Sequence, residues 1–236
     1  MKHLEVCLTP ALLPLYDLKG SIVVVIDIFR ATSSISYGIE NGADAIIPVA
    51  SVEECLSHQG NGYLLGAERN GEVVNGFDFG NSPFSYTKEK VEGKTLVVTT
   101  TNGTHAINES KNADEIVIGS FLNLSAVCDY LVKQNKNVFL LCSGWKNKVN
   151  LEDTLFAGAV VTQLKEVFDT WCDSSVLAED LYQAAKDDLH EYMKKTSHSE
   201  RLKKLGIEKD IEFCLNVDLL QSVPVIKDGK IVKADL

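Results

Sequence analysis

Three carboxylates occupy positions where short apolar runs of this sequence give way to small and polar residues. Asp27 interrupts the first of these runs, Glu68 follows a second, and Asp153 lies at the start of a predicted helix. Because burying an unpaired carboxylate is costly, each position suggests a base, a nucleophile or a metal ligand. Oxygen ligands suit Mg²⁺, which keeps coordination positions for water and a substrate phosphate. We therefore predict Asp27, Glu68 and Asp153 as catalytic residues and as ligands of Mg²⁺.

Each carboxylate also has a purely structural interpretation. Asp27 could accept hydrogen bonds from the backbone of the next turn, and Glu68 could form a surface pair with the neighbouring Arg69. Asp153 and the adjacent Glu152 could offset the dipole of the helix that they open. We favour the functional interpretation because side chains at several strand ends converge at one edge of an open α/β sheet.

Arginine is rare in this chain, which makes its positions informative. Only Arg30, Arg69 and Arg201 occur, although lysine supplies most other cations. Arg30 and Arg69 fall within the polar clusters, and a planar guanidinium can grip an oxyanion through two parallel hydrogen bonds. We predict that both bind substrate. Arg201 lies outside the clusters, so the sequence predicts no role for it in the site.

Glycine, hydroxyl and amide residues follow the same apolar runs and could supply hydrogen-bond donors to an anion. The turn at residues 99–104 can present backbone amides to a phosphate, and the glycine-containing loop at residues 71–83 is predicted to be a lid or an anion-binding loop. Simple turn formation is the alternative for both segments. The predicted substrate-binding residues besides the two arginines are Thr32, Asn81, Ser82, Thr101, Asn102, Gly103, Thr104, Ser143 and Gly144.

The composition excludes several classes of partner. A formal net charge of −10 without a basic stripe argues against nucleic acid, because binding to the phosphate backbone needs clustered lysine and arginine. No apolar stretch is long enough to cross a membrane, and the N-terminus does not resemble a signal peptide. The six scattered cysteines indicate reduced thiols in a cytoplasmic protein. A small anionic phosphorylated substrate is the partner that we expect, because local cations can outweigh the long-range repulsion.

Apolar runs alternate with helical segments in a β-α-β-α order. Residues 22–28 and 45–49 are predicted strands with a short helix between them, and a capping box at Ser51 and Glu54 opens the next helix. This order predicts an α/β fold of three layers, in which helices cover a largely parallel or mixed sheet.

The same order of elements recurs about 70 residues later. The recurrence suggests an internal duplication, with related half-units at about residues 21–60 and 91–135, inside a single catalytic domain over residues 1–236. The sequence is compatible with a monomer or a homo-oligomer.

The second half of the chain is predicted to be mainly helical. A helix is expected from Leu151 to about Phe168, and residues 172–206 form an amphipathic cover with little sign of chemistry. The tail contains VPVI, KDGK and IVKA, which predict a hairpin or a pair of strands at the sheet edge.

Eight short motifs run through nearly the whole chain. They are DIFRAT (27–32), GAERNG (66–71), GFDFGNSP (76–83), TTTNGT (99–104), CSG (142–144), LEDTLFAG (151–158), SHSERLKKLG (197–206) and VPVIKDG (223–229). Their combination and order resemble the 2-phosphosulfolactate phosphatase family. The resemblance implies a Mg²⁺-dependent hydrolase that removes phosphate from 2-phospho-3-sulfolactate, a step associated with coenzyme M synthesis, and an α/β fold peculiar to that family.

Two other functions remain open on the sequence. An aspartyl-phosphate phosphatase would use Asp27 as its nucleophile, but such enzymes carry a second acid two residues later, where this chain has Phe29. A protein that binds a small organic anion without turnover would need the same donors. Phosphate release separates the enzymes from the binding protein.

Overall fold

Eleven strands form one mixed sheet in residues 1–235, the part of the chain that the computed structural model describes. The strands are β1 (Lys2–Cys7), β2 (Ser21–Ile26), β3 (Ala45–Pro48), β4 (Leu64–Arg69), β5 (Glu72–Val73), β6 (Thr95–Thr99), β7 (Glu115–Gly119), β8 (Asn137–Cys142), β9 (Phe168–Asp169), β10 (Pro224–Lys227) and β11 (Lys230–Lys233). Their order in the sheet is β5-β4-β6-β3-β11-β10-β7-β2-β8-β1-β9. The expected α/β class with a mixed sheet is confirmed.

Ten α-helices cover the sheet in this described part of the chain. They are α1 (Ala31–Glu40), α2 (Val52–Ser57), α3 (Lys88–Val91), α4 (Gly103–Glu109), α5 (Leu124–Gln134), α6 (Leu151–Leu164), α7 (Asp173–Ala185), α8 (Leu189–Met193), α9 (Ser197–Lys204) and α10 (Glu208–Cys214). None of them is both long and apolar enough to span a membrane.

Strand β2 lies at the centre of the core and is buried along its whole length. Its alternate residues point to opposite faces: Ile22, Val24 and Ile26 pack in a cluster with residues of α5 and α6, whereas Val23 and Val25 pack in a cluster with residues of α1 and α4. A strand buried on both faces requires such a continuous apolar run. The first polar side chain after it is therefore held at a fixed edge of the sheet.

The two segments that were predicted to be related pair reciprocally. Strand β2 of the first segment lies between β7 of the second and β8, and β6 of the second segment lies between β3 of the first and β4, with all four pairings parallel. Strands β4 and β8 begin just after the two predicted segments, at Leu64 and Asn137. This pairing supports the internal duplication, which we keep as a proposal.

The C-terminal hairpin occupies the middle of the sheet. Strands β10 and β11 are antiparallel, and they join the two halves through the pairs Val225 with Val117 and Ile231 with Ile46. The hairpin therefore lies between β3 and β7 in the strand order and does not form an edge of the sheet. The predicted turn chemistry is confirmed, because Asp228 and Gly229 both have positive φ values, 51° and 75°.

Helix boundaries agree with the local signals except at one end. Helix α2 is capped by Ser51, whose hydroxyl accepts a hydrogen bond from the Glu54 N–H at 3.1 Å. Helix α6 ends at Leu164 and not near Phe168. Phe168 instead pairs with Lys2 as part of β9, and its buried ring joins the core. Tertiary packing overrides the helical pattern at this point.

Candidate active site

The turn from β2 to α1 fixes Asp27 at the first turn of the helix. The Asp27 N–H donates to the Thr32 hydroxyl at 3.0 Å, and the Asp27 Oδ1 accepts a long bond of 3.4 Å from the Ala31 N–H. Thr32 is fully buried. The structure therefore gives Thr32 a turn-forming role, and Asp27 is held by the backbone as its structural interpretation anticipated.

A tight turn after β4 positions Glu68. Asn70 and Gly71 have φ values of 57° and 91°, as a two-residue hairpin turn between β4 and β5 requires. The Glu68 Oε1 accepts from the Gly71 N–H, and Oε2 accepts from the Thr101 hydroxyl at 3.3 Å. Glu68 is thereby oriented by its own hairpin and by the turn after β6. The Asn-Gly pair was the sequence signal for strand β5, which the sequence analysis did not predict.

Asp27 and Glu68 line the same cavity. The cavity brings together six residues that were predicted from the sequence, namely Asp27, Arg30, Glu68, Asn81, Thr101 and Asn102. Its other lining residues are Phe29, Asn70, Gly71, Trp145, Lys146, His198, Arg201 and Leu202.

The carboxyl of Asp27 is difficult to ionise in this cavity. Burial and the charge of Glu68 raise its pKa to about 6, and the hydrogen bond from Ala31 opposes the shift. A cation between the two carboxylates would relieve their repulsion. Gly103 leaves room beside the Asp27 carboxylate, because a Cβ there would lie 3.0 Å from Asp27 Oδ2 and 2.7 Å from the Ala31 Cβ. The carboxylate pair therefore fits a hard cation.

Asp153 lies behind the cavity and does not line it. Its Oδ1 accepts from the Ile28 N–H at 3.0 Å, and its Oδ2 accepts from the Gly144 N–H at 2.9 Å. Burial, with the nearby charges of Glu152 and Asp27, raises the pKa of Asp153 well above its usual range. The side chain thus joins the loops that follow β2 and β8.

A metal site made entirely by protein side chains is not present in the described residues. No group of three or more histidine, cysteine, aspartate or glutamate side chains there has a suitable geometry. Mg²⁺ does not require such a group, since it is commonly held by one or two carboxylates with water and substrate phosphate. Asp27 and Glu68 meet that smaller requirement.

The two arginines predicted to bind substrate occupy different cavities. Arg30 is buried, pairs with Asp210 of α10, and donates to the Gly71 carbonyl at 2.8 Å. Arg69 donates to the Glu68 carbonyl at 2.6 Å and to the Thr99 hydroxyl at 3.2 Å. It lines a separate cavity. Of these two arginines, Arg30 lines the cavity of Asp27 and Glu68 and Arg69 does not.

The remaining predicted residues mainly shape the loops around the cavity. Ser82 donates to Asp210 at 3.0 Å, and Thr104 accepts from the Thr100 N–H at 3.3 Å and lines the cavity of Arg69. Ser143 is buried, and its hydroxyl has no hydrogen-bond partner within residues 1–235. Gly144 has a φ of 59°, and a Cβ there would lie 2.3 Å from the Lys148 carbonyl oxygen. The structure thus requires glycine at this position.

Helix α9 supplies residues that the sequence analysis missed. His198 lines the cavity, and its Nδ1 lies against the Oε1 of the buried Glu152. The His198 ring also meets the Phe29 ring edge to face, with 5.8 Å between centroids. Residues 172–206 were expected to form an amphipathic cover with little sign of chemistry, whereas α9 of this stretch lines the cavity. The motif SHSERLKKLG contained the signal, because it carries His198 and Arg201 one helical turn apart.

Arg201, for which the sequence predicts no role, is a second residue of α9 at the candidate site. It lines the cavity, and its guanidinium carbon lies 4.6 Å from the centroid of the Trp145 ring. The Nζ of Lys146 lies 4.7 Å from the same centroid. Two cations from different elements thus meet at one aromatic ring in the cavity wall.

Comparison with known proteins agrees with this architecture. A profile of the 2-phosphosulpholactate phosphatase family matches residues 7–229. A Thermotoga petrophila protein named "Probable 2-phosphosulfolactate phosphatase" is 46% identical over 206 residues, which cover 87% of this chain and 89% of that protein. Proteins of the same name from Caldanaerobacter subterraneus and Clostridium perfringens are 43% and 40% identical, over 90% and 91% of this chain and 90% and 89% of their own. The chain belongs to the 2-phosphosulpholactate phosphatase family.

Proposed function

We propose that this protein hydrolyses 2-phospho-3-sulfolactate to 3-sulfolactate and phosphate in the presence of Mg²⁺. The observation that carries the proposal is the pair of buried carboxylates, Asp27 and Glu68, in a cavity that also contains guanidinium groups. A phosphate ester of an organic acid needs both kinds of group, because a cation offsets the charge of the phosphoryl oxygens while fixed donors hold the anion. The names of the related proteins support this substrate.

Asp27 and Glu68 are the residues that would hold Mg²⁺. When bound there, the ion would polarise the phosphoryl group and orient or ionise a water molecule. Asp153, the third predicted ligand, acts in this proposal as a positioning residue, because both of its oxygens accept backbone hydrogen bonds. It keeps the loop of Asp27 in place.

Arg30 and His198 have distinct roles in the proposed reaction. Arg30 is held by Asp210 and the Gly71 carbonyl, so its guanidinium has a fixed orientation toward an oxyanion in the cavity. Glu152 binds the Nδ1 of His198, which leaves the other ring nitrogen for proton transfer. His198 would protonate the alkoxide oxygen as the bond between that oxygen and phosphorus breaks.

An aspartyl-phosphate mechanism makes a different prediction for Asp27. Enzymes of that class carry the acid that protonates the leaving group two residues after the nucleophile, and in this chain that position is occupied by the apolar ring of Phe29. We propose that Asp27 binds metal or orients water and is never phosphorylated. Rapid quenching during turnover, followed by borohydride trapping and peptide mass analysis, should find no modified Asp27. A kinetically competent acyl phosphate at that residue would overturn the proposal.

Phosphate release tests the proposed activity. The purified protein should release phosphate from 2-phospho-3-sulfolactate, and exhaustive chelation should abolish the release until Mg²⁺ is restored. Asp27→Asn and Glu68→Gln should lower turnover and weaken metal affinity, because neutral amides are poorer ligands for a hard cation. Glu72→Gln is the matched control, since Glu72 is an exposed carboxylate of the same hairpin.

The outcomes of this experiment separate the remaining alternatives. Full activity after chelation would rule out the metal, and normal metal affinity in both variants would rule out these two ligands. Binding of the ester without phosphate release would instead favour a protein that binds organic anions.

We also propose that the protein acts in the cytoplasm in a step of coenzyme M biosynthesis. The six cysteines, all unpaired, are consistent with a reducing compartment.

A further inference from the structure

Two cationic side chains lie close to the ring of Trp145 in the wall of the cavity. The residue begins a tight two-residue turn, in which the Trp145 N–H donates to the Lys148 carbonyl at 2.9 Å and the reverse bond is 3.0 Å. Arg201 of α9 and Lys146 of the turn lie 4.6 Å and 4.7 Å from the centroid of its ring. Stacking on an aromatic face orients a guanidinium and leaves its N–H groups at the edge free to donate.

Neither of these cations has a carboxylate partner in the part of the chain that the structure describes. In residues 1–235, Arg201 and Lys146 form no ion pair with a carboxylate, whereas Arg30 in the same cavity is paired with the buried Asp210. The chain has a net charge of −10, so acidic side chains are plentiful. Two unpaired cations in a cavity of an acidic protein indicate that an external anion is their partner.

We propose that Arg201, seated on Trp145 and assisted by Lys146, binds the carboxylate or sulfonate group of the substrate rather than its phosphate. The inference rests on the proposed function and deepens it. The phosphate belongs with Asp27, Glu68 and Arg30, where a metal ion and a fixed guanidinium are available. Arg201 then determines specificity: it favours phosphate esters that carry a second acidic group over esters that do not.

Three esters of one shape test the assignment. They are 2-phospho-3-sulfolactate, 2-phospholactate, which lacks the sulfonate, and isopropyl phosphate, which lacks both acidic groups. Arg201→Gln should lower kcat/KM for the first ester by about 10- to 100-fold, mainly through KM, because a hydrogen-bonded charge contact is lost. For isopropyl phosphate, kcat/KM of the same variant should stay within about twofold of the value for the unmodified protein. Lys146→Gln is an exposed substitution in the turn. It should lower kcat/KM for the three esters in the same order, by a smaller factor.

The middle ester identifies the group that Arg201 binds. Loss of activity on 2-phospholactate assigns the carboxylate, and loss confined to the sulfonated ester assigns the sulfonate. Lys203→Gln is the matched control, because Lys203 is exposed on the same helix outside this cavity. An equal effect of Arg201→Gln on all three esters, or none on any, would overturn the proposal.

Equilibrium binding provides a readout that does not depend on turnover. Calorimetry with 3-sulfolactate should show a dissociation constant about 10-fold or more weaker in Arg201→Gln than in Lys203→Gln. A protein that hydrolyses none of the esters but binds 3-sulfolactate in this Arg201-dependent way would refute the proposed function and retain the anion site. Binding that is absent, or unchanged by Arg201→Gln, would refute the anion site whether or not the esters are hydrolysed.

Discussion

At Asp27, burial and the like charge of Glu68 both raise the pKa of the carboxyl group. The carboxyl follows a fully buried strand and faces the charge of Glu68, so its protonated form is favoured in the folded protein. A divalent cation would reverse this preference by replacing the repulsion with attraction. Stability should therefore depend on both pH and Mg²⁺.

Asp27→Asn should stabilise the metal-free protein at neutral pH. The folded pKa of about 6 exceeds the ordinary value of 3.8, so between these values the folded state binds more protons than the unfolded state. Stability contributed by this group is therefore complete below about pH 4 and is lost as the pH rises through 6. The variant should gain on the order of 1 to 3 kcal/mol at pH 7.5 and little at pH 4. Urea unfolding at the two pH values measures the difference.

Asp129→Asn controls for a change of net charge, because Asp129 is exposed on α5. It should have no comparable effect at either pH. Added Mg²⁺ should stabilise the unmodified protein more than Asp27→Asn. Equal stability of the unmodified protein and Asp27→Asn at pH 7.5 without metal would contradict the buried, repelled state of this carboxyl.

Arg30→Lys should impair activity more than Arg69→Lys. A lysine ammonium is a point charge and cannot hold both Asp210 and the Gly71 carbonyl while presenting a planar fork to the substrate. We expect a loss of about 2 to 4 kcal/mol in transition-state stabilisation, measured as kcat/KM under steady-state conditions. Unfolding measurements must accompany the kinetics, because disturbing a buried ion pair also lowers stability.

Arg69→Lys tests whether Arg69 binds substrate, a point on which the sequence and the structure differ. The sequence predicts that both arginines bind substrate, whereas the structure places Arg69 in a different cavity. Equal losses of kcat/KM in the two variants would return Arg69 to the substrate-binding site.

At the level of secondary structure, the β4–β5 hairpin connects both parts of the site. The Gly71 N–H orients Glu68, and the Gly71 carbonyl accepts from Arg30. Leu205, directly after α9, closes over the same glycine, because a Cβ there would lie 2.6 Å from Leu205 Cδ1. One turn thus sets the positions of a carboxylate, a guanidinium and the helix that carries His198.

Gly71→Ala should reduce both stability and activity. Its φ of +91° is unfavourable for an L-residue, and the added methyl group collides with Leu205. We expect destabilisation of about 1 to 3 kcal/mol, together with a fall in kcat as Glu68 and Arg30 shift. Thermal unfolding and phosphate release measure the two effects.

Gly76→Ala is the control that introduces backbone strain without a contact between the new methyl group and another side chain. Gly76 has a φ of +87°, but nothing lies within 4 Å of its added Cβ. It should share the loss of stability that comes from the backbone and retain kcat. A fall in kcat of the same size in both variants would mean that the contact with Leu205 does not organise the site.

For the whole molecule, the C-terminal hairpin joins the halves of the sheet. Ile231 is fully buried and pairs with Ile46 of β3, while its hairpin partner strand β10 pairs with β7. Strands β10 and β11 therefore complete the centre of the sheet. Without them, β3 and β7 would expose unpaired edges.

Ile231→Ala should lower the free energy of unfolding by about 2 to 5 kcal/mol, because the cavity left in the core cannot collapse fully. Denaturant unfolding measures the loss. Val232→Ala, at the next and partly exposed position, should cost clearly less. Similar costs at the two positions would contradict the central packing of the hairpin.

Local signals determined much of the fold from the sequence. The apolar run of β2, the hydroxyl of Ser51 and the Asp228-Gly229 turn each depend on residues that are close in the chain, so their structures follow from short-range sterics and hydrogen bonding. The same applies to Asp27 and Glu68, which stand at strand ends as predicted. The family resemblance also came from the sequence, and the chain's membership of that family is shown.

Tertiary structure alone decided which of these residues meet. The hairpin was predictable, but its place in the middle of the sheet was not, and this strand order determines which loops share an edge. Arg30 pairs with a carboxylate 180 residues away, and Arg201, for which the sequence predicted no role, lies over the ring of Trp145 in the same cavity. Such contacts arise because burial of apolar faces selects one arrangement of the elements, and the polar residues at their ends are brought together as a result.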